Sequence, residues 1–223
     1  MKKIKAILTA SLLSVFSFAW VSTSSALELS AAGIGMTTGA WMGKGKEVIG
    51  SASGDTTEED GAFEDGAPNI FLEIAASDNV SIGIEYWPDS VDTPENTNTG
   101  ASGPEGTSVD DNTVKASFSN HTTLYGQVGL PFGLYAKAGI IYVDIETKES
   151  LATGGAYDDA DTLGYSLGFG FQHTVDNGVF VRAEINAAQY DDVSGTNKTD
   201  SSKSVSVTDM YGAYGSIKIG RSF

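Results

Sequence analysis

The chain has 223 residues, with 29 acidic against 13 basic side chains, a formal net charge of −16 and no cysteine. That charge argues against nucleic acid or an anionic lipid surface as a partner, and the lack of cysteine excludes a disulfide framework or a thiolate metal site. After the first 26 residues no apolar run approaches the roughly 20 residues that a membrane-spanning helix needs, so entry into a bilayer requires a closed β-barrel, the other fold that satisfies its own backbone there.

The N-terminus comes first. Lys2, Lys3 and Lys5 precede an apolar run from Ala6 to Val21 and the small residues Ser24-Ser25-Ala26. This order is that of an export signal cleaved after Ala26, giving a signal peptide over 1–26 and one domain over 27–223. Cleavage takes the 13 basic residues down to 10 against 29 acidic ones, a net −19.

Downstream, the period is two. From Leu163 to Phe171 one parity carries Leu163, Tyr165, Leu167, Phe169 and Phe171, and the other carries Gly164, Ser166, Gly168 and Gly170. Val179 to Tyr190 and Val80 to Trp87 alternate likewise, which is the mark of strands with one greasy face and one small or polar face. Eight strands are predicted, at about 29–42, 69–76, 80–88, 113–129, 134–146, 162–174, 179–190 and 204–223. Glycines blur the alternation of the first.

Tight turns are expected at Ser77-Asp78-Asn79, Pro131-Phe132-Gly133 and Asp176-Asn177-Gly178. Long acidic connections are expected near 43–68, 89–112, 147–161 and 191–203. Three short turns alternating with four long loops describe an up-and-down barrel with both termini at the short, periplasmic end. The fold class is therefore all-β, an eight-stranded antiparallel up-and-down transmembrane β-barrel.

With strand number, loop asymmetry and a closing segment from Tyr211 to the terminal Phe223 in place, the chain resembles the small outer-membrane barrel family of OmpX, the OmpA transmembrane domain and the Opa adhesins. The resemblance implies an outer-membrane location among lipid and lipopolysaccharide, and it implies that Phe223 is an assembly signal read by the barrel assembly machinery. Arg221 departs from the family pattern on the outward parity, where a long side chain can reach the interface.

Glycine and mid-strand charges on the polar parity suit an enclosed interior better than a solvated outside. This places Glu73, Glu85, Lys137, Arg182, Glu184 and Lys218 inside, four to six residues from the nearest periplasmic turn or chain end. Three negatives then face three positives, and buried charges are tolerated when paired. Tyr86, Tyr142, Tyr165 and Tyr211 on the outward parity form an expected upper aromatic girdle.

No catalytic pattern stands out. His121-Thr122-Thr123 and His173-Thr174 lack the serine of a His-x-Ser pair, and a nucleophile needs a positioned base, so no enzyme and no cofactor are expected. Gly33-Ile34-Gly35 has neither the preceding strand nor the following helix of a nucleotide loop. Asp158-Asp159-Ala160-Asp161 and Asp55 to Asp60 could bind calcium through carboxylates but lack the spacing of an EF-hand. The expected function is a surface platform whose acidic loops meet divalent cations or an external partner; the alternative is a narrow pore or small-molecule conduit of the OmpW kind.

Overall fold

The computed structural model describes residues 28–49, 56–99, 111–150 and 156–223. The expected signal peptide lies outside them. Among the described residues eleven strands are present: β1 Leu29–Ile49, β2 Thr56–Ser77, β3 Val80–Tyr86, β4 Val91–Asp92, β5 Asn96–Thr99, β6 Asp111–Gly129, β7 Leu134–Ser150, β8 Ala160–Thr174, β9 Val179–Tyr190, β10 Val193–Thr196 and β11 Lys203–Ser222. Eight of them, β1, β2, β3, β6, β7, β8, β9 and β11, pair with their neighbours in order, and β11 returns to β1. Every pairing in this ring is antiparallel. The closed ring leaves no free edge for another chain to join.

The turns fall where Asn, Asp, Gly and Pro allow them. Asp78-Asn79 joins β2 to β3, a 3-10 turn Pro131–Gly133 joins β6 to β7, and Asp176-Asn177 lies between β8 and β9. Gly133 and Gly178 take positive φ, which a residue without Cβ does at no steric cost. The chain ends at this same pole, with the Phe223 N–H donating to Ser30 O at 3.0 Å.

The distribution of side chains is the reverse of that in a water-soluble barrel. Ile34, Met36, Leu72, Ile140, Leu167, Phe169, Ile185, Ile217 and Ile219 are exposed on the outside, while Glu73, Glu85, Lys137, Arg182, Glu184 and Lys218 are buried within. Glycine makes room for this interior. A Cβ on Gly83 would lie 2.4 Å from the Tyr125 ring, and one on Gly170 would lie 2.3 Å from that of Tyr135. Both tyrosines therefore lie flat against bare backbone.

Two expectations need correction, one about the long connections and one about unbroken alternation within a strand. The stretches near 43–68 and 147–161 are not loops over most of their described length. β1 and β2 run for 21 and 22 residues, about 70 Å of strand at roughly 3.3 Å per residue, far more than the 9–11 residues a tilted strand uses to cross a bilayer. Glycine, threonine and carboxylates above the apolar band read as loop, yet a strand with both faces in water has no need to alternate. The wall simply continues upward, and β7 extends likewise to Ser150.

The other concerns register. β6 carries an irregularity between Ser119 and Thr122 against β7, with Asn120 at φ 54. One added residue in a strand swaps its faces. Below the bulge His121, Thr123 and Tyr125 are buried inside; above it Ala116 and Phe118 turn inward instead.

Candidate functional site

The lower interior is a cross-linked ionic plug. Arg182 on β9 donates from both terminal nitrogens to the Glu73 carboxylate of β2, at 2.6 and 3.0 Å. The same guanidinium bonds Gln172 Oε1 at 3.1 and 2.7 Å, and Tyr125 donates to Glu73 at 2.8 Å. Lys137 on β7 donates to Glu85 at 2.8 Å and to Glu184 at 3.4 Å. Lys218 on β11 bonds Glu85 at 2.6 Å and also Glu184, which accepts from Ser216 as well.

Sequence position alone would make part of this arrangement repulsive, because Arg182 and Lys218 are direct cross-strand partners and like charges so placed are unfavourable. Glu184 of β9 meets Lys218 from the next position on the same face, and the other two carboxylates reach in from β2 and β3, strands that pair with neither β9 nor β11. Three cations and three carboxylates thus close a neutral set across the lumen. Phe71, Phe180 and Tyr135 ring the Arg182 guanidinium at 5.0 to 5.1 Å, filling the remaining width.

Above the plug the interior changes character. Trp41, Trp87, Val91, Ile141, Val143 and Tyr214 form a buried apolar cluster, with Phe63, Phe118 and Tyr190 packed against it. Phe63 stacks on Trp41 with centroids 5.7 Å apart and on Phe118 at 5.9 Å. These rings line a cavity of about 530 Å³ that also touches Met210, Thr162, Ala116 and His121. At its lower end Trp87 stacks on His121 at 3.9 Å, and Trp87 Nε1 donates to Glu85 at 3.1 Å. One indole thus joins the cup to the plug.

The cup's polar groups are few. Trp41 Nε1 donates to the Tyr190 hydroxyl at 3.4 Å, and that hydroxyl lies 3.5 Å from His121 Nε2. His121 is buried on the lumen side, and no serine is among the cavity's lining residues. Higher on the wall, Lys115 pairs with Asp92 at 2.6 Å, and hydrogen bonds from Lys115 and Ser117 hold the Asp92 carboxyl below the usual range.

Outside, the four tyrosines occupy two adjacent rows. Tyr86 and Tyr142 share Thr122 as cross-strand partner; Tyr165 and Tyr211 share Gln189. Tyr165 and Tyr211 are exposed and Tyr86 is half-buried. Tyr142 departs from the expected girdle, being only 7% exposed. Its hydroxyl donates to Asp144 at 2.6 Å, and Asp144 accepts from Asn120, which in turn accepts from Tyr86. The bulge that brings Asn120 to this surface covers Tyr142.

The sequence reading placed no cup. Phe63 fell in a stretch read as loop, and the Asn120 bulge hid the inward turn of Phe118. Trp41 and Trp87 at the upper ends of their strands were the available signal. The candidate calcium segment 55–60 includes Asp55, outside the described residues. Among the described residues no three carboxylate or imidazole groups gather around one point.

A ring with apolar side chains outside and charges inside defines a membrane β-barrel. Residues 8–211 match the outer membrane protein beta-barrel domain, and the chain belongs to that family, a protein of the Gram-negative outer membrane. Among curated proteins none matches the sequence. Solved structures with similar folds include the outer membrane protein OprG from Pseudomonas aeruginosa, at 14% identity and TM-score 0.48, covering 87% of this chain and 97% of that one. The outer membrane protease OmpT from Escherichia coli has 13% identity and TM-score 0.47, covering 91% and 99%. Ail of Yersinia pestis has 9% identity and TM-score 0.35, covering 83% and 98%.

Proposed function

We propose that the protein is a non-enzymatic, non-conducting surface platform whose working element is the aromatic cup, a receptor for a small apolar or aromatic molecule at the extracellular mouth. The observation that carries this reading is the cavity of about 530 Å³ walled by Trp41, Phe63, Trp87, Phe118 and Tyr190. Such a volume suits a small ligand, and mostly apolar walls with a few placed polar atoms are the usual composition of a ligand site. The plug beneath argues against an ion pathway, since eight strands leave a lumen that side chains can fill.

The test is intrinsic fluorescence, because Trp41 and Trp87 both line the cup. Indole and 1-naphthol titrated into refolded protein in a neutral detergent should perturb emission saturably, and Ala116→Trp, which fills the cavity, should abolish the response. An unsaturable response shared by wild type and the filled variant refutes the cup.

The acidic wall gives the platform a second contact surface. Glu58, Glu59, Asp60 and Glu64 are exposed on β2, on a paired strand rather than a slack loop, so a basic external partner would meet charges held in fixed register.

A further inference from the structure

We infer that the cup selects organic cations: its ligand is a quaternary or protonated amine carried on an apolar or aromatic frame. The inference rests on the reading of the cup as a binding site and adds the charge of what it binds.

Three observations converge on it. The cup's lining includes Glu59 and Asp60 but neither lysine nor arginine. Glu59 lies on the parity of Phe63, the lumen-facing side of β2, opposite Gly45 on β1. Of the lysines nearest in register, Lys46 pairs with Glu58 at 2.8 Å, and Lys44, the direct cross-strand partner of Asp60, pairs with Asp209 at 3.1 Å. Among the described residues Glu59 is in no ion pair, so the mouth holds a carboxylate without a basic partner above apolar walls, while Asp60 faces Lys44 across the strand pair and is partly offset by it. A neutral hydrophobic ligand gains from the walls alone; a hydrophobic cation gains from both features.

The walls themselves favour a cation. Trp41 is stacked between Tyr214 and Phe63, and Phe63 between Trp41 and Phe118, so of the rings lining the cup in this stack Phe118 alone keeps an unstacked face, and an aromatic face carries the negative end of the ring quadrupole. Trp87 is further polarised, since donation of its N–H to the Glu85 carboxylate leaves the indole richer in electron density. His121 lines the cavity at 5% exposure, and its Nδ1 has no hydrogen-bond partner. That nitrogen, when unprotonated, accepts from a protonated amine, a bond that a quaternary ammonium cannot supply. At long range, the net charge of −16 concentrates cations at the mouth.

Three probes of one frame test it: benzyltrimethylammonium, benzyl alcohol and benzoate, titrated by tryptophan fluorescence into the folded, heat-modifiable protein. The cation should bind at least about tenfold tighter than the alcohol, benzoate should not bind, and added salt should weaken the cation alone. Glu59→Gln combined with Asp60→Asn should reduce cation affinity severalfold and leave the alcohol unchanged; both positions are exposed, so the fold is not at stake. Equal binding of cation and alcohol, indifferent to the double substitution, overturns the charge preference while the cup stands. No saturable binding by any probe overturns the cup itself and the cation preference with it.

Discussion

Replacing Arg182 by methionine removes the one cation bonded to Glu73 among the described residues and keeps most of the buried volume. The carboxylate would retain only the Tyr125 hydroxyl at 2.8 Å, at 3% exposure, far from water. Breaking a buried pair from one side costs about 3–5 kcal/mol, because the surviving charge is uncompensated. The retained bond from Tyr125, with charged hydrogen bonds contributing roughly 1.5–3 kcal/mol, places the expected loss near the lower end, about 3 kcal/mol. Urea unfolding in detergent, followed by band shift and by tryptophan emission, reads the change as a lower midpoint at unchanged slope. Arg182→Met combined with Glu73→Gln removes both charges while the amide still accepts from Tyr125, so the double variant should regain all but about 1 kcal/mol, within the size of one hydrogen bond. An unchanged midpoint for the single variant, or a double variant as weak as the single one, would refute the claim that the plug is held by this pairing.

Other consequences can be measured with the same material. Leu167→Arg, at a lipid-facing position 70% exposed, should cost up to about 2–4 kcal/mol of stability in bilayers, depending on its depth; a cost near zero would reverse inside and outside. Gly83→Ala should destabilise the barrel by driving Tyr125 off the backbone and away from Glu73, and the Tyr125→Phe background should absorb only part of that loss, since the ring still clashes. Planar bilayers containing wild type should show no reproducible single-channel steps; steps that vanish on neutralising Arg182 and Glu184 would favour the pore. Deleting Phe223 should slow assembly into outer membranes severalfold while refolding in detergent stays near normal, and equal slowing in both would make the residue structural rather than a signal.

The barrel was legible because lipid forces one parity to be apolar over each crossing, so β3, β8 and β9 stand out as alternating strands. Legibility stopped where lipid stops. Gly61, Glu64 and Asp65 sit in a paired strand, yet nothing in their order distinguishes a wet wall from a wet loop. The charged residues of the plug were visible as interruptions of an otherwise small polar face, but which carboxylate meets which cation depends on strands that are not neighbours. The cup was lost for a different reason: a single left-handed residue, Asn120, moves Phe118 to the inner face, and a strict alternation carried through that point assigns it to the outside.

The plug also constrains the order of events in assembly. Lys218 stands on the last strand, and it supplies one of the two cations that meet Glu85 and Glu184. Without β11 the sheet carries these two carboxylates with only Lys137 between them; pairing with β9 brings Lys218 to Glu184, and closure on β1 brings it to Glu85 of β3 as well. Charge neutrality inside the barrel and closure of its seam are thus reached in one step, so a half-inserted sheet is penalised electrostatically as well as by its open edges.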